Sequence, residues 1–136
     1  MKKRKLFFIG VPLLLALLYT FTYLPHNVIK IEPEEVSKIT IFDGSSGYDI
    51  EITDKDEINH IITNLNNVIF KKGKISAGYL GYRFNTTIYD EQGEPLQELI
   101  INAEDTIRYK GFFYTTHKNT IDYDYIDELF AKQDKQ

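Results

Sequence analysis

The sequence predicts an α+β fold in which an N-terminal transmembrane helix precedes a mainly antiparallel sheet with two helices. Three observations support this prediction. Residues 6–24 contain no charged side chain, short segments after residue 35 alternate apolar and polar residues, and one segment has apolar residues at helical spacing. The predicted order after the transmembrane helix is β-β-α-β-β-β-β-β-α, and its mostly short connections favour antiparallel pairing.

The N-terminal helix is predicted from the length of its apolar run. The run extends from Leu6 to Leu24, and its 19 residues span about 28 Å as a helix, close to the thickness of the hydrocarbon core. Pro25 then ends the helix. The alternative is a cleaved signal peptide, whose apolar core is usually shorter, about 7–15 residues, and is followed by a small-residue cleavage site.

The charges on either side of this helix predict its orientation. Residues 2–5 are all basic, and all 20 acidic residues follow the apolar run. Basic residues favour the cytoplasmic side, so we predict a single-pass protein of the cell membrane with a cytoplasmic N-terminus and an extracellular C-terminal domain. The predicted parts are the basic leader and anchor (1–25), a spacer (26–35) and an extracytoplasmic α+β domain (36–132).

The first three elements of the domain follow from their residue patterns. Segments 36–42 and 48–52 are predicted to form a hairpin, because the second alternates apolar and acidic residues and a Gly/Ser/Asp segment separates the two. Asp54, with Glu57 three residues later, predicts the start of a helix. The apolar stripe of this helix is made of Ile58, Ile61, Ile62 and Leu65.

The remaining elements are predicted to be five strands and a short helix. The strands are 68–70, 82–90, 96–102, 106–109 and 112–115. Residues 71–81 contain three glycines and are predicted to be a loop. Asp124 is predicted to cap the last helix, whose core residues are Ile126, Leu129 and Phe130.

The composition after the anchor restricts the partners and chemistry of the domain. Of 16 basic residues four lie in the leader, so the rest of the chain has 12 basic and 20 acidic residues and a net charge of -8. That charge argues against a nucleic-acid partner, because binding phosphates needs a basic face. The chain has no cysteine, which excludes disulfides, thiol catalysis and Cys-based zinc sites.

The sequence predicts no catalytic, cofactor-binding or metal-binding residue. Residues 43–54 space oxygen atoms loosely as a calcium loop does, but Tyr48 and Asp54 occupy the places that need Gly and Glu. We therefore interpret this segment as a polar hairpin. His60 lies beside the apolar stripe of its helix and is predicted to be solvated.

Four carboxylates near the C-terminus allow two interpretations. They are Asp122, Asp124, Asp127 and Glu128. Carboxylates in a first helical turn ordinarily complement the helix dipole, and we favour this interpretation. The alternative is an envelope hydrolase that uses these carboxylates for acid/base catalysis.

We predict a partner contact where the domain has its densest run of basic residues. The predicted contact residues are Lys71, Lys72, Lys74, Tyr79 and Leu80. Long glycine-containing loops are often functional, and positive charge suits another envelope protein, an anionic wall polymer or anionic lipid headgroups. The alternative is a solubilising loop whose lysines protect a sheet edge.

The overall pattern resembles small membrane-anchored ectodomain proteins of low-GC Gram-positive bacteria, which have no assigned activity. The resemblance rests on the basic leader, the apolar run and a cysteine-free ectodomain ending in IRYKGFFYTTHKNTIDYDYIDELF. It covers most of residues 34–131 and transfers no site residue. Together with the missing catalytic pattern, it predicts a membrane-tethered extracytoplasmic interaction or accessory domain that is not an enzyme.

Overall fold

The computed structural model describes residues 2–133 and 135, so Met1 of the predicted leader, Asp134 and Gln136 lie outside the described residues. Within this part the predicted fold class and order of elements are confirmed. In chain order the elements are α1 (Lys2–Phe21), a 3₁₀ turn (Pro33–Glu35), β1 (Val36–Asp43), β2 (Asp49–Ile52), α2 (Lys55–Asn67), β3 (Ile69–Ile75), β4 (Phe84–Asp90), β5 (Pro95–Ala103), β6 (Thr106–Tyr109), β7 (Phe112–Lys118) and α3 (Tyr123–Gln133).

All seven strands of the described residues form one sheet in the order β2-β1-β4-β5-β6-β7-β3. Each neighbouring pair is antiparallel. β3 does not pair with its sequence neighbours, because it crosses to the far edge and pairs with β7. Strands lie about 4.8 Å apart, so the two edge strands, β2 and β3, are about 29 Å from each other.

The hydrophobic core lies between one face of the sheet and helices α2 and α3. Alternate residues of the central strands face it, including Ile39 and Ile41 of β1 and Phe84 of β4, all fully buried. The predicted stripe of α2 is confirmed, since Ile58, Ile61, Ile62 and Leu65 are its buried residues. We call the opposite side of the sheet the open face.

The starts of the two domain helices differ in how well the sequence predicts them. The predicted cap of α2 is confirmed, because Asp54 accepts hydrogen bonds from the amides of Asp56 and Glu57, both at 3.0 Å. The predicted cap of α3 is wrong. The side chain that accepts from the first turn is Asp122, whose Oδ1 lies 3.4 Å from the amide of Tyr125, while Asp124 lies inside the helix.

A contact with α2 explains this earlier start of α3. Asn64 of α2 accepts from the amide of Asp122 at 2.8 Å and donates to the carbonyl of Thr120 at 3.1 Å. These two bonds hold the chain before α3 and place Asp122 at the helix N-terminus. Because Asn64 is 58 residues away in the chain, local sequence patterns do not reveal the contact.

Residues 26–35, predicted to be a spacer, are packed against the domain. Ile29 is fully buried and Ile31 is 7% exposed. The side-chain amide of Asn66 pairs with the backbone of Ile31, donating to its carbonyl at 2.6 Å and accepting from its amide at 3.1 Å. The chain therefore enters the core at Ile29, and residues 26–35 are part of the domain.

β3 is longer than predicted and takes in the lysines assigned to a loop. Lys71 pairs with Thr115 of β7 and Lys72 pairs with Tyr114. The prediction of a loop from residue 71 is therefore wrong, since β7 extends the ladder to Ile75. The irregular part is residues 76–83, which we call the strap.

Candidate functional site

Among the described residues, α1 is the one helix long and apolar enough to cross a membrane. None of its residues is buried against the rest of the protein, as expected for a helix whose apolar surface needs another environment. A signal sequence near an N-terminus meets the same criteria of length and composition. The contacts at the C-terminal end of α1 therefore bear on what this helix does.

The end of α1 meets the β3 edge at Lys72. Its ammonium group lies 5.1 Å from the ring centroids of both Tyr19 and Tyr23, and 3.9 Å from that of Phe112 on β7. Its Nζ also lies 3.4 Å from Oγ1 of Thr22. A lysine over aromatic faces is held by cation–π attraction, more strongly as water is excluded. We call this contact the joint.

Backbone pairing next to the joint holds β3 against the chain that follows α1. The amide of His26 donates to the carbonyl of Phe70, and the amide of Phe70 donates to the carbonyl of His26, both at 2.9 Å. This bridge is antiparallel. The chain at His26 therefore runs opposite to β3, and β3 passes from His26, at Phe70, to the end of α1, at Lys72.

The strap links β3 to β4 across the open face. Its first residue, Ser76, donates its amide to the carbonyl of Gly111 at 2.8 Å, and at its other end Gly44 donates to the carbonyl of Arg83 at 2.7 Å. Between these points, Arg108 of β6 donates to the carbonyls of Tyr79, at 2.9 Å, and Gly81. The strap is thus fixed at both ends and in its middle.

The structure brings some of the predicted contact residues together and separates others. Lys74 donates to the hydroxyl of Tyr79 at 2.8 Å, and Tyr79 packs edge-on against Phe113 with ring centroids 5.1 Å apart. Leu80 is 91% exposed at the middle of the strap. Lys71 and Lys72 are successive strand residues and point to opposite faces of the sheet. Of these five residues, the structure therefore joins Lys74 and Tyr79 directly, while Lys72 is occupied by the joint.

A cluster around Arg83, which the sequence did not predict, ties three elements together. Its Nε lies 2.7 Å from Oδ1 of Asp43 at the end of β1, and its Nη2 lies 2.6 Å from Oδ1 of Asp127 on α3. Asp43 also accepts from the amide of Ser45 at 2.9 Å and the hydroxyl of Ser46 at 2.8 Å. The Asp-Gly-Ser-Ser segment indicates a turn at Asp43. The sequence does not show that Arg83, 40 residues later, pairs with this carboxylate.

This cluster lowers the pKa of Asp43. Burial of the carboxyl opposes ionisation, but the bonds from Ser45 and Ser46 and the charge of Arg83 outweigh it, so the pKa falls below the usual 3.8. The side chain of Asp43 is only 5% exposed, so its charge depends on these partners. The cluster therefore holds the β1–β2 turn, the strap and α3 together.

Two of the four carboxylates considered for catalysis have different partners. Asp122 lies 2.8 Å from Nε2 of His60, which is exposed as predicted and stacks on Tyr125 at 3.8 Å between ring centroids. Asp127 is engaged by Arg83.

A groove follows the β2 edge where α3 passes it. Its larger part has a volume of about 430 Å³ and is lined by side chains that include Tyr48, Asp49, Asp127 and Phe130. A second part of about 210 Å³ continues along β2 beside Glu57. The groove is thus lined by several carboxylates together with the apolar side chains of Ile50 and Phe130, and Lys132 lines its second part. Within the part of the chain that the structure describes, no group of three His, Cys, Asp or Glu side chains is arranged to hold a metal ion.

The outer backbone of β2 is available for pairing within the described part of the chain. Asp43 donates its amide to the carbonyl of Tyr48 at 2.8 Å. Because hydrogen-bonded pairs alternate along an antiparallel ladder, Ile50 and Ile52 direct their backbone groups towards β1. The backbone groups of Asp49 and Glu51 therefore point outwards, away from the sheet.

No protein family model, no curated protein and no solved structure matches this chain. Its function has to follow from its own geometry and charges.

The charges of the domain are separated between the two sheet edges. Residues 69–83 and 106–118, which form β3, the strap and the β6–β7 hairpin, contain seven Lys or Arg residues and no acidic residue. The β2 edge has Asp49 and Glu51, and the start of α2 beside it has Asp54, Asp56 and Glu57. The domain therefore has a basic side joined to α1 and an acidic side about 29 Å away.

Proposed function

We propose that this chain is a membrane-tethered extracytoplasmic interaction or accessory domain. In this proposal α1 crosses the membrane with the N-terminus in the cytoplasm, and the β2 edge is presented to another envelope protein. The observation that carries the proposal is the difference between the two edges of the sheet. The β3 edge is joined to α1 through Lys72, whereas the β2 edge has outward backbone groups and an acidic groove beside it.

The joint supports a partner that is itself close to the membrane. Residues 26–35 are packed into the domain, so the domain is held next to α1 instead of moving on a long tether. A domain fixed in this way reaches only components near the membrane surface. The partner is then an integral or peripheral protein of the envelope.

The charge of the β2 edge favours an extended, basic segment as the element that binds. An extended segment adds to a free strand edge through backbone hydrogen bonds, while neighbouring pockets select its side chains. Acidic residues attract a basic partner and repel an anionic one, which disfavours a wall polymer at this edge. The side chains of Ile50 and Phe130 give the groove an apolar surface for an apolar side chain of the segment.

The first prediction concerns the anchor. The full-length protein should fractionate with membranes, and protease added to cells stripped of their wall should digest the C-terminal domain. The reason is the basic leader before the apolar run, which favours a cytoplasmic N-terminus. Immunoblotting of both ends of the chain measures the outcome. A shortened protein in the medium as the main product would show a cleaved signal sequence, and protection from protease would show the opposite orientation.

The second prediction concerns the β2 edge. A photo-crosslinking residue at position 49 should give one discrete protein adduct in whole cells. Glu51→Pro should abolish the adduct, because proline removes an amide that points outwards, whereas Glu51→Ala should retain it. A crosslinker at the exposed Glu104, in the β5–β6 turn, is the matched control and should give no adduct.

Three outcomes would count against pairing at this edge. They are the absence of an adduct at position 49, an adduct that survives Glu51→Pro, and equal adducts from positions 49 and 104. A broad adduct that disappears when wall polymers are removed would identify the polymer as the partner. Thermal denaturation of the purified variants checks that Glu51→Pro and Glu51→Ala leave the domain folded.

A further inference from the structure

We propose that the end of the domain formed by Ile75, Tyr79, Leu80 and Lys110 is embedded in the outer leaflet of the bilayer that α1 crosses. The lysines of this end then contact anionic lipid headgroups. The inference rests on the membrane anchor of the proposed function and adds a second membrane contact to it. We call these residues, with Lys74, the membrane-facing end.

The direction of β3 is the first argument. Tyr19 and Tyr23 lie near the outer end of the apolar run, where aromatic rings favour the membrane interface, and they hold Lys72 at that level. β3 then continues for three more residues beyond Lys72, which is about 10 Å at the usual rise of a strand. The headgroup region of one leaflet is only about 5–8 Å thick. In this proposal the end of β3 therefore carries Ile75 to the boundary of the hydrocarbon core.

The exposed side chains of this end are the second argument. Ile75 is 61% exposed, Leu80 is 91% exposed and Tyr79 is 49% exposed. Large apolar side chains grouped on a surface mark a place that is covered in use. Arg108 donates to the carbonyls on either side of Leu80 and holds this residue at the surface. A lipid leaflet is an apolar environment that would cover these side chains.

The charges around these side chains are the third argument. Lys74 is exposed beside Tyr79, and Lys110 is exposed at the tip of the β6–β7 turn. Lysines keep their charge in the headgroup layer while their aliphatic stems lie against apolar surface. Neither residues 69–83 nor residues 106–118 contain an acid that would repel anionic headgroups. The acidic turn between β4 and β5 lies at the same end of the sheet as the β6–β7 turn, three or more strands from β3.

A lipid leaflet explains these observations better than a wall polymer does. A soluble anionic polymer offers charge to the lysines but no apolar phase for Ile75 and Leu80. The outer leaflet supplies both within the depth that β3 reaches. Three of the residues predicted from the sequence to contact a partner, Lys74, Tyr79 and Leu80, therefore face the membrane in this proposal, and the partner edge is β2.

Single cysteines provide the test, because the natural chain has none. Full-length Ile75→Cys and Leu80→Cys variants, labelled with an environment-sensitive fluorophore, are reconstituted in vesicles of phosphatidylglycerol and phosphatidylcholine. Ser45→Cys, in the exposed β1–β2 turn, is the control in water, and Leu14→Cys is the control within α1. Lipid-attached nitroxides should strongly quench the labels at 75, 80 and 14 but not at 45. Aqueous iodide should quench only the label at 45.

The outcomes separate this inference from the proposed anchor. Strong lipid quenching at position 14 with quenching at position 80 no greater than at 45 would overturn the inference and leave the anchor standing. Weak lipid quenching at position 14 would overturn both. Lys74→Glu with Lys110→Glu should reduce lipid quenching at position 80 in vesicles rich in phosphatidylglycerol and leave it unchanged in pure phosphatidylcholine. Unchanged quenching in both lipids would overturn the role of the headgroups.

Discussion

Replacing Ile61 with Asp should unfold the domain. Ile61 is 3% exposed and lies in the stripe of α2 that covers the sheet, with Ile58 and Leu65 one turn to either side. A carboxylate at this place has no cation to pair with, and it also removes an apolar side chain from the core. Such changes typically cost about 2–5 kcal/mol, a large share of the roughly 5–15 kcal/mol that holds a domain folded.

Asn59→Asp is the matched control on the same helix. Asn59 is exposed, and the new carboxylate keeps the oxygen that accepts from Thr63. We expect this variant to change the free energy of unfolding by less than about 0.5 kcal/mol. Pulse proteolysis in urea, applied to the detergent-solubilised full chain, compares the two variants with the natural protein. Equal effects of the two substitutions would contradict the facing of α2 in the structure.

Replacing Arg83 with Met should destabilise the domain by about 2–3 kcal/mol, because it leaves the carboxylate of Asp43 buried without its cation. The loss of the second partner, Asp127, adds little, since its side chain is 54% exposed. The aliphatic part of Met retains much of the packing against Phe84, over which the guanidinium lies at 4.6 Å. Lys38→Met is the control, because its ion pair with the exposed Glu51 is worth about 1 kcal/mol or less.

The pH dependence of the Arg83 variant provides an independent check. The folded pKa of Asp43 is lowered, so its ionised form contributes stability that is fully present above the unfolded value of 3.8. That stability is lost as the pH falls through the lower folded pKa. The difference in the free energy of unfolding between Arg83→Met and the natural protein should therefore be greatest near neutral pH and shrink as the carboxyl becomes protonated.

Adding Asp43→Asn to Arg83→Met should recover part of the lost stability at neutral pH. A difference that is independent of pH would contradict the role given to the ion pair.

The elements that the sequence predicts well are those whose signals are local. The stripe of α2 repeats every three or four residues, and its Asp54 cap lies within one turn of the amides that it binds. The apolar run of α1 and the order of strands are also visible in short windows of sequence. Spacing within one element decides these features, so they do not need a partner from elsewhere in the chain.

The candidate surfaces were predicted only in part. The basic run at Lys71, Lys72 and Lys74 is plain in the sequence, as are Tyr79 and Leu80. Their arrangement cannot be read from the sequence. β3 forms by pairing with β7, whose residues lie more than 35 positions later in the chain. The same pairing sends β3 to the sheet edge beside α1, where Lys72 meets Tyr19 and Tyr23.

The sequence by itself therefore determined the apolar helix, the α+β class, the order of elements and the charge of the domain. The tertiary structure decided that residues 26–35 belong to the core, that Asp43, Arg83 and Asp127 form one cluster, and that a basic and an acidic edge face opposite ways. The physical reason is that burial and ion pairing depend on groups brought together from distant parts of the chain. Periodicity within a short segment indicates which side chains are buried. It does not indicate which other segment packs against them.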